Sequence, residues 1–155
     1  MRMFHLYSAL FLGLAWGMVS PAGVGAPAAE AEKAKDLTFD DIKFEMKKGD
    51  DFERSMLTEK IEKLDGRSIR IRGFMLPSFQ QKGITQFVLV RDNLECCFGP
   101  GAALYDCIVV EMQGGASASF TVKPIAVEGI FKVQEFKGPD GKHLAIYHLD
   151  GTKVK

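Results

Sequence analysis

The sequence has no excess of charge of either sign. Its 155 residues include 20 lysines and arginines and 20 aspartates and glutamates, so the formal net charge is zero. Proteins that bind nucleic acid through its phosphates usually carry a clear basic excess, so the composition argues against that function class. Hydrophobic residues make up 46% of the chain and charged residues 26%, which is typical of a globular protein and not of a disordered one.

Long hydrophobic runs are also lacking. The one apolar run near the start, Leu6–Val19, is shorter than the roughly 20 residues that a membrane-spanning helix needs. It follows Arg2 and precedes the small residues of 20–28, an order typical of a secretory signal peptide. We therefore predict a signal peptide over residues 1–28 and a periplasmic or secreted protein with no stable membrane insertion after cleavage. The small and charged residues 29–36 are expected to form a flexible tether.

Patterns long enough for a helix are scarce in the remaining chain, where short stretches of alternating residues predominate. Thr58 is a candidate N-cap for one short helix. Five strands are predicted. The first ends at Pro77, and the other four span 85–91, 107–112, 125–133 and 144–149. The core residues predicted from this alternation are Ile69, Ile71, Phe87, Leu89, Val109, Val127, Phe131 and Ile146.

The predicted fold class is all-β, or α+β with one short helix. Five strands in about 90 residues favour a small antiparallel OB-like barrel, whereas a β-sandwich usually has about seven strands. Gly129 interrupts the fourth strand at a point where a small barrel is expected to bend. Residues 37–155 are accordingly predicted to form one OB-like domain, with residues 37–60 as an N-terminal arm packed against it.

The stretch from Leu64 to Pro77, LDGRSIRIRGFMLP, resembles the opening of an exported bacterial family known as domain of unknown function 3299. The resemblance extends over residues 60–150 and implies an OB-like, exported protein without an established activity. Cys96 matches a cysteine of the family loop, but Phe98 stands where the family commonly has histidine. Asp106-Cys107 stands where the family has Asn-Gln, so the family loop offers no complete ligand set to transfer.

Cysteine is scarce, and all three cysteines fall in one stretch of the chain. Cys96 and Cys97 follow the second predicted strand, and Cys107 begins the third. If these strands pair, a bridge from Cys107 to Cys96 or Cys97 would close a loop of about ten residues, worth on the order of 2–3 kcal/mol. Three alternatives stay open: a strained Cys96–Cys97 bridge, a Zn or Cu site made of three thiolates, and redox-active thiols.

Three arginines form a basic stripe on the first predicted strand. Arg67, Arg70 and Arg72 form a possible ligand surface, because an OB-like barrel often binds its ligand on a strand face. Glu111 and Glu128 are candidate ion-pair partners across the sheet.

No catalytic constellation is evident in the sequence, and its enzymatic status stays open with a preference for a non-enzyme. We predict an exported binding or interaction module without a cofactor, acting on another exported protein or a small ligand and not on nucleic acid. A metal-handling protein that uses the three cysteines for Zn or Cu is the alternative, and a thiol redox protein is the third possibility.

Overall fold

A computed structural model describes residues 33–46, 51–92 and 103–155. Residues 31–155 form a compact unit. The described residues include one α-helix of four residues, α1 (Glu59–Glu62), and short 3-10 helices at Phe39–Ile42, Arg54–Met56 and Leu104–Asp106. The strands are β1 (Lys35–Leu37), β2 (Ser68–Met75), β3 (Gln86–Val90), β4 (Cys107–Met112), β5 (Ile125–Lys137) and β6 (His143–Val154). No helix of this described part is long and apolar enough to cross a membrane.

The strands form one sheet with the order β1-β2-β3-β4-β6-β5, and β2 also pairs with β5. The prediction of five antiparallel strands is therefore wrong in two respects. β1 is a sixth strand, and it pairs in parallel with β2. β4 also pairs in parallel with β6, from Val109↔His148 to Met112↔Gly151.

The two errors have physical reasons. β1 has only three residues and a single buried one, Leu37, so it is too short to show an alternating pattern. It begins at Lys35, inside the segment that the sequence assigned to the tether. The direction of β6 relative to β4 is set by the β5–β6 hairpin, and a strand's own residues do not encode its neighbour's direction.

The alternation in β2 follows from the pleat of a strand, whose successive side chains point to opposite faces of the sheet. Ile69 and Ile71 are fully buried, while Arg72 on the opposite face is exposed. Ile71 lies opposite Val127 of β5, which is also fully buried.

All eight core residues predicted from the sequence are buried, and seven of them belong to the hydrophobic core cluster. The exception is Val109: in β4 the core cluster contains Ile108 and Val110, so the predicted face of that strand is wrong.

Much of the core comes from the segment before β2. Its buried side chains join those of the sheet in one hydrophobic cluster; they are Leu37, Phe39, Ile42, Phe44, Phe52, Leu57, Ile61 and Leu64. The Tyr147 hydroxyl of β6 donates a hydrogen bond of 2.7 Å to the carbonyl oxygen of Ile42. Burial raises the pKa of this phenol, which keeps the hydroxyl protonated as the donor. The segment is thus an integral part of the core.

Candidate functional site

An open groove lies between the segment after β1 and the short 3-10 helix before β4. Its volume is about 780 Å³, and its walls are Asp40, Lys43, Phe44, Glu45, Met46, Met56, Thr58 and Tyr105. We call it the arm groove. Phe44 is buried, whereas Met46, Met56 and Tyr105 are half-buried and present apolar surface to the groove. Methionine side chains adapt their shape to a ligand, and aromatic rings offer large, rigid apolar faces.

A chain of aromatic contacts positions the groove wall. The Phe44 ring meets Tyr105 edge to face, with ring centroids 5.3 Å apart, and meets Phe52 at 5.9 Å. Phe52 in turn contacts the ring of His143 at 5.6 Å. His143 Nε2 lies 2.9 Å from Glu135 Oε2, and His143 is the leading cause of the lowered pKa of that carboxyl group. The wall is therefore anchored to β5 and β6.

The rim of the groove is held by a capped turn. Thr38 donates its backbone N–H and its hydroxyl to the Asp41 carboxylate, at 2.9 and 3.0 Å. Lys60 Nζ lies 2.7 Å from the same carboxylate. The hydrogen bonds from Lys60 and from the Thr38 backbone lower the pKa of Asp41 from 3.8 to about 2. A carboxyl group whose pKa is lowered in the folded protein stabilises the fold at any pH above its pKa in the unfolded chain. These contacts therefore stabilise the fold at neutral pH, and this stabilisation is lost as the pH falls below about 4.

The charged side chains of the groove differ in whether they contact another side chain. Lys43 Nζ lies 5.9 Å from the centre of the Tyr105 ring, within range of a cation–π contact. Asp40 and Glu45 are exposed, and among the described residues neither has a hydrogen bond or ion pair with another side chain. The groove thus combines an apolar wall with two exposed carboxylates and one lysine, which lies over the Tyr105 ring.

The structure describes one residue of the predicted cysteine cluster. Cys107 is the first residue of β4, is buried, and lies opposite Val90 of β3. The pairing of the two strands that flank the cysteine segment is confirmed. Arg91 and Asp106 hold the ends of that segment together, by a backbone hydrogen bond of 3.1 Å and a side-chain ion pair of 3.4 Å. Cys96 and Cys97 lie outside the described residues.

The three arginines of the predicted stripe differ in their surroundings. Arg70 lies between Asp36 and Glu128, with nitrogen–oxygen distances of 3.6 and 3.7 Å. The expected pairing across the sheet is therefore present for Glu128. Arg67 and Arg72 are exposed. Arg70 is therefore engaged by two carboxylates, and the use of the stripe as a ligand surface stays a prediction.

The two histidines of β6 lie in separate environments, as their odd spacing indicates. His148 is buried, and its Nε2 lies 3.2 Å from Asp150 and 3.8 Å from Glu111. His148 lies opposite Val109 of β4 and Lys132 of β5, whereas the side chain of His143 reaches Glu135 of β5. In the part of the chain that the structure describes, no group of three or more His, Cys, Asp or Glu side chains is placed to hold a metal ion.

Sequence reasoning missed the arm groove. Its walls come from distant segments, Lys43–Met46, Met56 and Tyr105, and no local pattern joins them. The only signal was the apolar alternation of Ile42, Phe44 and Met46. It marked a segment that packs on the domain, but it did not indicate the cavity beside it.

The architecture defines the class of the protein: it is a mostly β domain with short helices and an open groove. The chain belongs to the DUF3299 family, described as protein of unknown function, whose family model matches residues 16–155. The fold is similar to that of a DUF3299 family protein from Pseudomonas aeruginosa PAO1, solved by crystallography. The two chains are 17% identical with a TM-score of 0.54, and the match covers 79% of this chain and 95% of the other. A comparison with functionally curated proteins gives no match.

Proposed function

We propose that this protein is an exported, non-catalytic binding module built on an OB-like barrel, and that the arm groove is its ligand site. The run Leu6–Val19 supports export. The barrel is supported by the pairings, because the order of neighbours β2-β3-β4-β6-β5 returns to β2. A five-stranded barrel of this kind leaves its ends to be filled by other segments, and the segment before β2 supplies such a filling.

The observation that carries the proposal is the composition of the arm groove. Phe44, Met56 and Tyr105 offer an apolar surface, while Asp40 and Glu45 stand at its rim without a basic partner among the described side chains. Small-ligand sites typically combine an apolar lining with a few polar groups that fix orientation. The charge of this rim favours a ligand with an apolar body and a positive group, either a small amphiphile or a peptide segment that combines apolar and basic side chains.

Two probes that share one fluorophore test this proposal. Dansylcadaverine joins the apolar dansyl group to an amine, and dansylglycine joins the same group to a carboxylate. We expect dansylcadaverine to bind with enhanced fluorescence and dansylglycine to bind at least about tenfold more weakly, because two nearby carboxylates contribute on the order of 1 kcal/mol each. An arginine-containing apolar peptide that displaces dansylcadaverine would favour a peptide ligand over a small amphiphile.

The matched variants separate the groove from the rest of the surface. Asp40→Lys combined with Glu45→Lys is expected to weaken dansylcadaverine binding by more than about tenfold. Glu59→Lys, at an exposed position on α1, is the control and is expected to leave binding unchanged. Equal binding of the two probes, or equal loss in the control variant, would contradict the assignment of the groove.

A second proposal concerns the cysteines. We propose that Cys107 forms a disulfide with Cys96 or Cys97 and that one thiol is left over. The support is the Val90↔Cys107 pairing together with the Arg91–Asp106 contacts, which bring the ends of the cysteine segment to neighbouring positions. An oxidising compartment favours such a bridge.

Thiol counting tests the bridge. Protein that has been exported and then denatured without a reductant is expected to react with an alkylating agent at one thiol, and at three after reduction. Cys107→Ser is expected to give two reactive thiols and to lower the free energy of unfolding by about 2–3 kcal/mol. Three reactive thiols without reduction would refute the bridge. About one Zn or Cu per chain, released by a single Cys→Ser change, would favour the metal-handling alternative.

A further inference from the structure

One end of the fold is built from two loops that hydrogen-bond to each other. The first loop, residues 76–85, joins β2 to β3, and the second, residues 113–124, joins β4 to β5. Ile84 and Ala118 exchange two backbone hydrogen bonds of 3.0 and 2.8 Å, and Phe120 donates its N–H to Gln81 at 3.0 Å. The antiparallel arrangement of these bonds makes the two loops one surface, which we call the loop apex.

Two large apolar side chains project from the loop apex. Phe79 is fully exposed, with a relative accessibility of 109%, and Val122 is exposed to 74%. Phe79 precedes Gln81 by two residues and Val122 follows Phe120 by two residues. The Gln81–Phe120 hydrogen bond therefore holds together the two segments that carry them. Exposed apolar side chains that lie close together, with polar residues around them, are typical of a surface that contacts a partner or a membrane.

The charge of the loop apex has a single sign. Its two segments contain Lys82 and Lys123 and no aspartate or glutamate, although the whole chain has 20 acidic residues. Both lysines are exposed. The loop apex thus combines projecting apolar side chains with positive charge and lacks groups that an anionic surface would repel.

We infer that the loop apex docks on an anionic phospholipid bilayer. Aromatic and aliphatic side chains enter the boundary between headgroups and acyl chains, and lysines beside them are attracted to anionic headgroups. Phe79 and Val122 supply the inserted side chains, and Lys82 and Lys123 supply the attraction. A peripheral contact of this kind is reversible and leaves the fold outside the bilayer.

A single tryptophan at the loop apex tests the inference in the full chain. The variant Phe79→Trp is made together with Trp16→Phe, so that fluorescence reports only on position 79. Vesicles of phosphatidylglycerol with brominated acyl chains are expected to shift the emission to the blue and to quench it by at least half. Phosphatidylcholine vesicles with the same brominated chains are expected to quench it by less than a tenth. Because the quenching is local, attachment through the N-terminal segment alone does not produce it.

Two controls make the result specific. Leu144→Trp in the same background places the fluorophore at another exposed apolar position, the second residue of β6, and is expected to remain unquenched. Adding Lys82→Glu and Lys123→Glu to the Phe79→Trp variant is expected to abolish the quenching by anionic vesicles.

Several outcomes would overturn the inference. No quenching with anionic vesicles, equal quenching with both lipids, or equal quenching of the Leu144→Trp variant would each do so. A blue shift that grows with protein concentration and needs no vesicles would identify a second copy of the chain as the occupant. A blue shift caused by soluble polyglutamate, with no quenching by anionic vesicles, would identify an acidic protein partner.

Discussion

Substituting Ile71 by alanine is expected to lower the free energy of unfolding by about 2–5 kcal/mol. Ile71 is fully buried at the centre of β2, where it has neighbours on both sides, Leu37 of β1 and Val127 of β5. Removing three carbon atoms leaves a cavity that paired strands cannot close without breaking their hydrogen bonds. Denaturant unfolding followed by circular dichroism measures the change.

Arg72→Ala is the matched control for this experiment. Arg72 is the next residue of the same strand and is exposed on the opposite face. Its replacement is expected to change the stability by no more than about 0.5 kcal/mol. A loss below about 0.5 kcal/mol for Ile71→Ala, or similar losses for both variants, would mean that the buried face of β2 is wrongly assigned.

Replacing Gly129 by alanine is expected to destabilise the protein by about 3 kcal/mol or more. Gly129 lies at a register shift between β5 and β6. A Cβ atom there would overlap the carbonyl oxygen of Asp150 and lie 2.8 Å from its carbonyl carbon and 2.9 Å from the Gly151 Cα. These are backbone atoms of the paired strand, so they cannot move aside as a side chain does. The hairpin would have to separate locally.

Gly138→Ala in the same hairpin provides the comparison. A Cβ atom at Gly138 would meet the end of the Asp140 side chain at 3.0 Å, and that carboxylate can rotate away. The expected change is within about 0.5 kcal/mol. Unfolding midpoints of the two variants in the same denaturant decide the matter, and equal midpoints would contradict a tight approach at Gly129.

Most strand faces and the helix cap were accessible from the sequence because they depend on local patterns. The alternation of Ile69 and Ile71 with arginines identified the buried face of β2, and the bend expected at Gly129 coincides with a register shift. Thr58 caps α1 as its position suggested, accepting a hydrogen bond from the Ile61 N–H at 3.4 Å. Each of these features is decided by residues within a few positions of one another.

Pairing direction and the groove were not accessible, because they depend on distant residues. The parallel contact of β4 with β6 arises from the path of the long β5–β6 hairpin. The pairing of β1 rests on three residues, of which only Leu37 is buried. Tyr105 and Met56 line the same groove although 49 positions of sequence separate them. No local sequence motif indicates that two such distant residues line the same groove.

Phe44 belongs to the hydrophobic core and to the wall of the arm groove at the same time. A ligand that contacts this ring therefore binds only the folded chain, since unfolding of the core disperses the site. Mass action then couples occupancy to folding, and a ligand at about one hundred times its dissociation constant adds roughly 2.7 kcal/mol to the free energy of unfolding. A ligand in the groove would therefore stabilise the whole domain against unfolding, including the strands that it does not contact.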